Sequence, residues 1–260
     1  MARYLAGGLV GGQYAEAFVL TTLIYFSVGG FVFGFLWARL YLPRWFAEAD
    51  EVKQLEEKVS LLEERQQADA KALELVIRLL NPQEGNKPVS EGDLVTAIKA
   101  ASVPARTQVF YEAQKTSEDK KADDYDSKIE GVILIFRALI ASDSKGRYHR
   151  NHAELSYALR RMRRPELAVA AITEAMQIRD DLKIKGWKYY EFYRAKCLIE
   201  QDAQFGRRER SDTALVERIV IDLRVCFSSV DRDKWEKWSK QSSVGDWMEL
   251  NDIDITKSRS

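Results

Sequence analysis

Between Ala17 and Ala38 the chain carries no charged residue: AFVLTTLIYFSVGGFVFGFLWA. As a helix these 22 residues would reach about 33 Å, and a hydrocarbon core asks for about 20 apolar residues. Tyr14 and Phe18 stand at one end, and Trp37, Tyr41 and Trp45 at the other. That is the pattern of an interfacial aromatic belt. The stretch is predicted to be a single transmembrane helix. The competing reading is a secretory signal peptide, but the apolar run is too long for one, and the WARLYLPRWF around its end is bulky and basic, with no small-residue cleavage site. Arg39 and Arg44 follow the span, while Arg3 and the terminal amine precede it. The positive-inside bias then favours a cytoplasmic C-terminal body on a single-pass membrane protein. Gly30 and Gly34 form a GxxxG, the spacing that lets two membrane helices approach closely. They are the candidate transmembrane dimerisation residues, although glycine is also common in membrane helices for other reasons.

After Pro43 the composition turns to Glu, Lys, Gln, Ala and Leu. Val52, Leu55, Val59 and Leu62 recur at intervals of three, four and three, with Val at the a positions and Leu at the d positions. This arrangement favours a parallel two-stranded coiled coil, with Lys58 facing Glu63 of the partner chain. The phase then meets Gln66 and Asp69 and resumes at Leu73, Val76 and Leu80, while a second register runs through Leu61, Ala68, Ala72, Leu75 and Leu79. A phase slip of this kind marks a stutter. The alternative is one long amphipathic helix packed on its own body. NPQEGNKPVS, residues 81–90, reads as a linker. Ser90 and Asp93 open a short helix in a capping-box-like pattern, and Pro104 suits the first turn of the next.

Lys and Arg number 40, Asp and Glu 40, so the formal net charge is zero. A generic nucleic-acid binder is usually strongly basic, so no nucleic-acid partner is expected. The two cysteines, Cys197 and Cys226, have no metal spacing. Buried free thiols are expected, with a disulfide between them as the alternative.

The segment LSYALRRMRRPELAVAAITEAM, residues 155–176, sets four arginines beside a run of alanines. Leu155, Ser156 and Leu159 precede a turn opened by Pro165; Ala168, Ile172 and Ala175 follow it. Small and large residues at these intervals resemble the tetratricopeptide repeat, in which two antiparallel helices form a unit of about 34 residues. The resemblance covers residues 149–180 and is of the bacterial type with an N-terminal membrane anchor. It implies that Ser156, Ala168 and Ala175 let the helices touch. One unit cannot bury its own face. A preceding unit is read in residues 106–115 and 131–143, with Gly131, Ile135 and Ala138 in the small, large and small places. A degenerate third is read in 187–199 and 212–227, and Trp235 and Trp238 belong to a capping helix. The fold class expected is all-α: membrane anchor 1–44, coiled-coil stalk 45–80, linker 81–90, repeat domain 91–250 and disordered tail 251–260.

The same resemblance places Arg150, Ala153, Tyr157, Arg160 and Arg161 on the concave face of the repeat stack. Arg150, Tyr157, Arg160 and Arg161 are the candidate partner-binding residues, since guanidinium groups pair bidentately with carboxylates. Ala153 and Tyr157 stand where the family's carboxylate clamp has Lys and Asn, so that clamp is missing. The competing reading is a solvated basic surface. His149 and His152 form HxxH, but His152 falls at an aromatic position of the repeat, and no metal is expected. No phosphate-binding loop, catalytic triad or calcium loop is present, and neither an enzyme activity nor a cofactor is expected. The function expected is a membrane-anchored adaptor, homodimeric or of higher order, that recruits a protein with an acidic segment. The alternative is a membrane effector or envelope-complex subunit acting by oligomerisation of its transmembrane helix.

Overall fold

A computed structural model describes residues 2–81, 88–119, 124–240 and 242–255; the side chains of 2–28, 38 and 40–49 lie outside the described set. All regular secondary structure among the described residues is helical. The chain divides into two compact units, residues 1–64 and 65–260. Helix α1 (Ala2–Leu80) contributes to both.

In the first unit the heptad residues are open to solvent. Val52, Leu55, Val59 and Leu62 are between 52% and 63% exposed. Among the described residues, no atom outside the helix's own local backbone lies within 4 Å of the positions that a Cβ would take on Gly30 or Gly34. Among the described residues no helix is long and apolar enough to cross a membrane. The span read at 17–38 lies mostly outside them; its described part, residues 29–37, holds the exposed Phe31, Phe33 and Phe35.

In the second unit the last turns of α1 pack against α2 (Glu91–Ala100), α3 (Val103–Glu118) and α4 (Tyr125–Ser142). Ala72, Val76 and Leu80 are buried, and Leu73, Leu75 and Leu79 are half-buried beside them. Both registers of the sequence pattern are therefore in use, because the helix end is covered over a wide arc. Asp69, which breaks the heptad, has its own partner: it accepts from Ser102 N–H and from Ser102 Oγ, each at 2.7 Å. It thus fixes the start of α3, where Ser102 Oγ in turn accepts from Ala105 N–H and Pro104 occupies the first turn. Ser90 caps α2 as its sequence signature predicts, accepting from Asp93 N–H and donating its hydroxyl to the Asp93 carboxylate. Gly131 of α4 meets α1 rather than its own hairpin partner. A Cβ there would lie 2.8 Å from the Leu79 carbonyl oxygen, closer than carbon tolerates.

Three helix hairpins follow one another: α3 with α4, α5 (His149–Arg161) with α6 (Pro165–Asp181), and α7 (Tyr189–Gln201) with α9 (Thr213–Phe227) after the single turn α8 (Ala203–Gly206). The middle hairpin closes through its small residues. Ser156, Ala168 and Ala175 are fully buried, and Ser156 Oγ donates to the Ala168 carbonyl at 2.7 Å. Phe110 and Phe136 join the first hairpin edge to face. Two bidentate ion pairs join the later helices: Arg179 of α6 with Glu191 of α7, and Arg194 of α7 with Asp222 of α9.

Beyond α9, α10 (Arg232–Lys240) and α11 (Ser243–Leu250) close the stack. Trp235 and Trp238 both pack on Phe192, and Trp247 is fully buried with its indole N–H donating to Ser211 Oγ. The terminal segment differs from the disordered tail expected at 251–260. Asn251 exchanges hydrogen bonds with Ser211, and Ile255 is buried in the same apolar cluster. Two isoleucines within a polar segment suffice to hold it. Residues 256–260 lie outside the described set. Cys197 and Cys226 are buried free thiols in two different apolar clusters, and burial raises the pKa of each to about 12.

Several helices end with a left-handed residue that is not glycine. Arg163, Lys183, Arg208 and Asp252 have φ between 54° and 60°. The following N–H in each case bonds back five residues, for example Arg164 N–H to the Leu159 carbonyl and Ile184 N–H to that of Arg179. These are Schellman ends built without the residue that suits them best.

Candidate protein-binding groove on α5

Helix α5 lies between α3 and α7 in the middle of the stack and presents one polar stripe. Arg150, Glu154, Tyr157 and Arg161 follow one another at helical spacing of four, three and four. Three of these are predicted groove residues. Ala153 is not part of the stripe: it is 2% exposed and belongs to the core. Glu154, one residue on, takes its place.

Each side chain of the stripe touches a neighbouring helix. The Arg150 guanidinium lies over Phe110 at 4.7 Å and near Trp187 at 5.4 Å, a cation–π arrangement worth about 0.5–1 kcal/mol when exposed. Glu154 is buried and accepts from Gln114 Nε2 at 2.8 Å. Burial pushes its pKa up to about 7, against the pull of Arg150. Tyr157 meets Tyr193 edge on at 4.3 Å, and burial raises the pKa of its phenol. Arg161 donates to the Ser117 carbonyl in the last turn of α3, a favourable place for a cation. Arg160, beside the stripe, grips Glu200 of α7 with two donors and rests over Tyr193. Arg164 pairs with Glu130 at 3.5 Å.

Two clefts flank α5. Arg160, Arg161 and Tyr157 come together with Tyr189, Tyr193 and Lys196 around a cleft of about 230 Å³ between α5 and α7. Arg150 belongs to another, of about 320 Å³, between the N-terminal ends of α3 and α5. The four predicted residues are therefore divided between two depressions. Sequence reasoning missed the aromatic half of both: Tyr189 and Tyr193 in one, Phe110 and Tyr111 in the other. It also missed Glu154. A regular alternation of aromatics in WKYYEFYRAK was the available signal, since Tyr189 and Tyr193 are one turn apart.

The histidines do not converge. His149 Nδ1 lies 2.9 Å from the Tyr190 hydroxyl, in a buried pair flanked by Trp187, and His152 is half-buried elsewhere on the helix. Burial lowers the pKa of both. Among the described residues no group of three or more His, Cys, Asp or Glu side chains is placed to hold a metal ion. Comparison with protein families, characterised proteins and solved structures finds no match to this chain.

Proposed function

We propose that this protein is a membrane-anchored, non-enzymatic adaptor of tetratricopeptide-like build, which recruits a protein partner bearing an acidic segment through the basic, aromatic flanks of α5. The observation that carries this reading is the cleft of Tyr157, Arg160, Arg161, Tyr189, Tyr193 and Lys196. Tyrosine and arginine are the residues in which binding energy concentrates at protein interfaces. The uncharged stretch 17–38 supplies the anchor, and the open seam of Val52, Leu55, Val59 and Leu62 supplies self-association with a second copy.

Capture of partners from cells by the full chain tests the proposal. Replacing Arg160 and Arg161 by Gln, which keeps hydrogen-bonding capacity and removes charge, is expected to abolish capture. Wild-type capture should also weaken as salt rises, the Debye length being about 8 Å at physiological ionic strength. A double variant that retains every wild-type partner contradicts the proposal.

A second reading rests on Gly30 and Gly34, whose faces are open. On that reading the protein is a membrane effector or envelope-complex subunit working through oligomerisation of its transmembrane helix. Deleting residues 1–44 separates the two, leaving partner binding intact for an adaptor and abolishing activity for an effector.

A further inference from the structure

We infer that the 320 Å³ cleft between the N-terminal ends of α3 and α5 is an anchor pocket for one bulky apolar side chain of an acidic peptide segment. The inference rests on the adaptor reading and specifies its partner.

The floor of the cleft is apolar. Buried Phe110 of α3 and Leu139 of α4 form it, with half-buried Ile184 from the loop after α6, while Val103 is exposed at its edge. Its rim is aromatic and open, with Tyr111 and Tyr148 each more than half exposed. Small-molecule sites typically bury 70–90% or more of a ligand of about drug size. An open cleft at the lower end of the usual volume range, about 300–1,000 Å³, instead suits a single side chain held on a longer chain.

The charge around the floor is predominantly positive. Arg106, Arg147 and Arg150 line the cleft, and no carboxylate of the described residues forms an ion pair with any of them. This sets them apart from Arg160, Arg179, Arg194 and Arg210, all of which have carboxylate partners. The one acidic residue in the lining is Asp143, and its carboxylate is already engaged. It accepts from Lys145, Arg147 and Tyr148 N–H groups at 3.2, 2.7 and 2.9 Å and so shapes the loop that carries Arg147. Arg150 is held in place by the Phe110 ring beneath it. Three guanidinium groups around an apolar floor complement a side chain such as phenylalanine or leucine flanked by Asp and Glu.

The test uses the full chain in neutral detergent and two labelled peptides of Glu and Asp. One has a single central phenylalanine and the other alanine in its place. The phenylalanine peptide is expected to bind about tenfold more tightly, a difference of about 1.4 kcal/mol. Arg106→Gln with Arg147→Gln should weaken it by at least about tenfold. Thr107→Trp, which fills the cleft from an exposed position and alters no charge, should remove the preference for phenylalanine. Melting of each variant reports its folding. Equal binding of the two peptides overturns the inference, as does a Phe preference that survives Thr107→Trp in a folded protein. If instead only Arg160→Gln with Arg161→Gln abolishes binding, the adaptor reading stands and the anchor pocket fails. If neither peptide binds the wild-type chain, both fail.

Discussion

Helix α1 carries two apolar stripes with opposite fates. Val52, Leu55, Val59 and Leu62 are open, whereas Ala72, Val76 and Leu80, two to three turns further on, are sealed under α2, α3 and α4. Their sequences differ little in apolar content. Between them lies Asp69, which sits where the heptad fails and accepts two hydrogen bonds from Ser102, the N-cap of α3. One helix thus packs on the body at one end and leaves its apolar stripe exposed at the other, with Asp69 between the two. A break in a heptad is read as a stutter when only one helix is considered; here it is also a tertiary contact.

The largest expected effect separates these stripes by stability. Val76→Asp buries an unpaired carboxylate and should cost the second unit on the order of 4 kcal/mol. The same change at Val59 should leave the melting of the dissociated chain unchanged within about 0.5 kcal/mol. Calorimetry on both variants checks the contrast, and equal losses would erase it.

A smaller effect depends on pH and belongs only to the packed unit. The Glu154 carboxyl titrates near 7 in the fold against 4.5 for the free group, because burial disfavours its charge. The folded state therefore holds this proton more tightly, and stability falls as pH rises through that window. Glu154→Gln removes the titration and should raise stability at pH 8 by roughly 2 kcal/mol, allowing for relaxation of the site. The gain should vanish near pH 4. Melting curves across that range check the sign; a variant whose benefit is the same at both ends rules out Glu154 as the group responsible.

The smallest effect concerns helix ends. Arg163 and Lys183 hold left-handed conformations, with φ of 54° at each, that disfavour any residue with a Cβ. Arg163→Gly or Lys183→Gly should stabilise the body by about 0.5 kcal/mol, the relief of strain being partly offset by loss of a cation at a helix C-terminus. Chemical denaturation of the single variants measures it, and a loss of stability would mean that their side chains make contacts outweighing the strain.

What the sequence disclosed follows from the range of the interactions. The α5–α6 hairpin was legible because Ser156, Ala168 and Ala175 are small residues at local spacing, and so were the cap at Ser90 and the first-turn Pro104; the Ser102 cap was not read. The clefts were only half legible. Arg160 finds Glu200, and Arg161 the Ser117 carbonyl, across some 40 positions of sequence, and no periodic pattern encodes such partners. Without them Arg150, Arg160 and Arg161 looked like one basic face with Tyr157; in the fold Arg160 and Arg161 also tie α5 to neighbouring helices. Gly131 was legible as a small position, but its neighbour was not: the close approach is to the end of α1. Ile255 was hidden by the polar residues around it.

We propose that the open stripe of α1 meets a second copy while the buried stripe holds the body. Sedimentation equilibrium on residues 46–260, with and without Leu55→Asp and Leu62→Asp, tests it most directly, since this fragment lacks the Gly30–Gly34 segment. The wild-type fragment should be a dimer at micromolar concentration. The double variant should be a monomer whose melting matches that of the dissociated wild type, because both substitutions place charge in the seam and none in the core. A wild-type fragment that is monomeric throughout, or a double variant that dimerises as well as wild type, contradicts the claim.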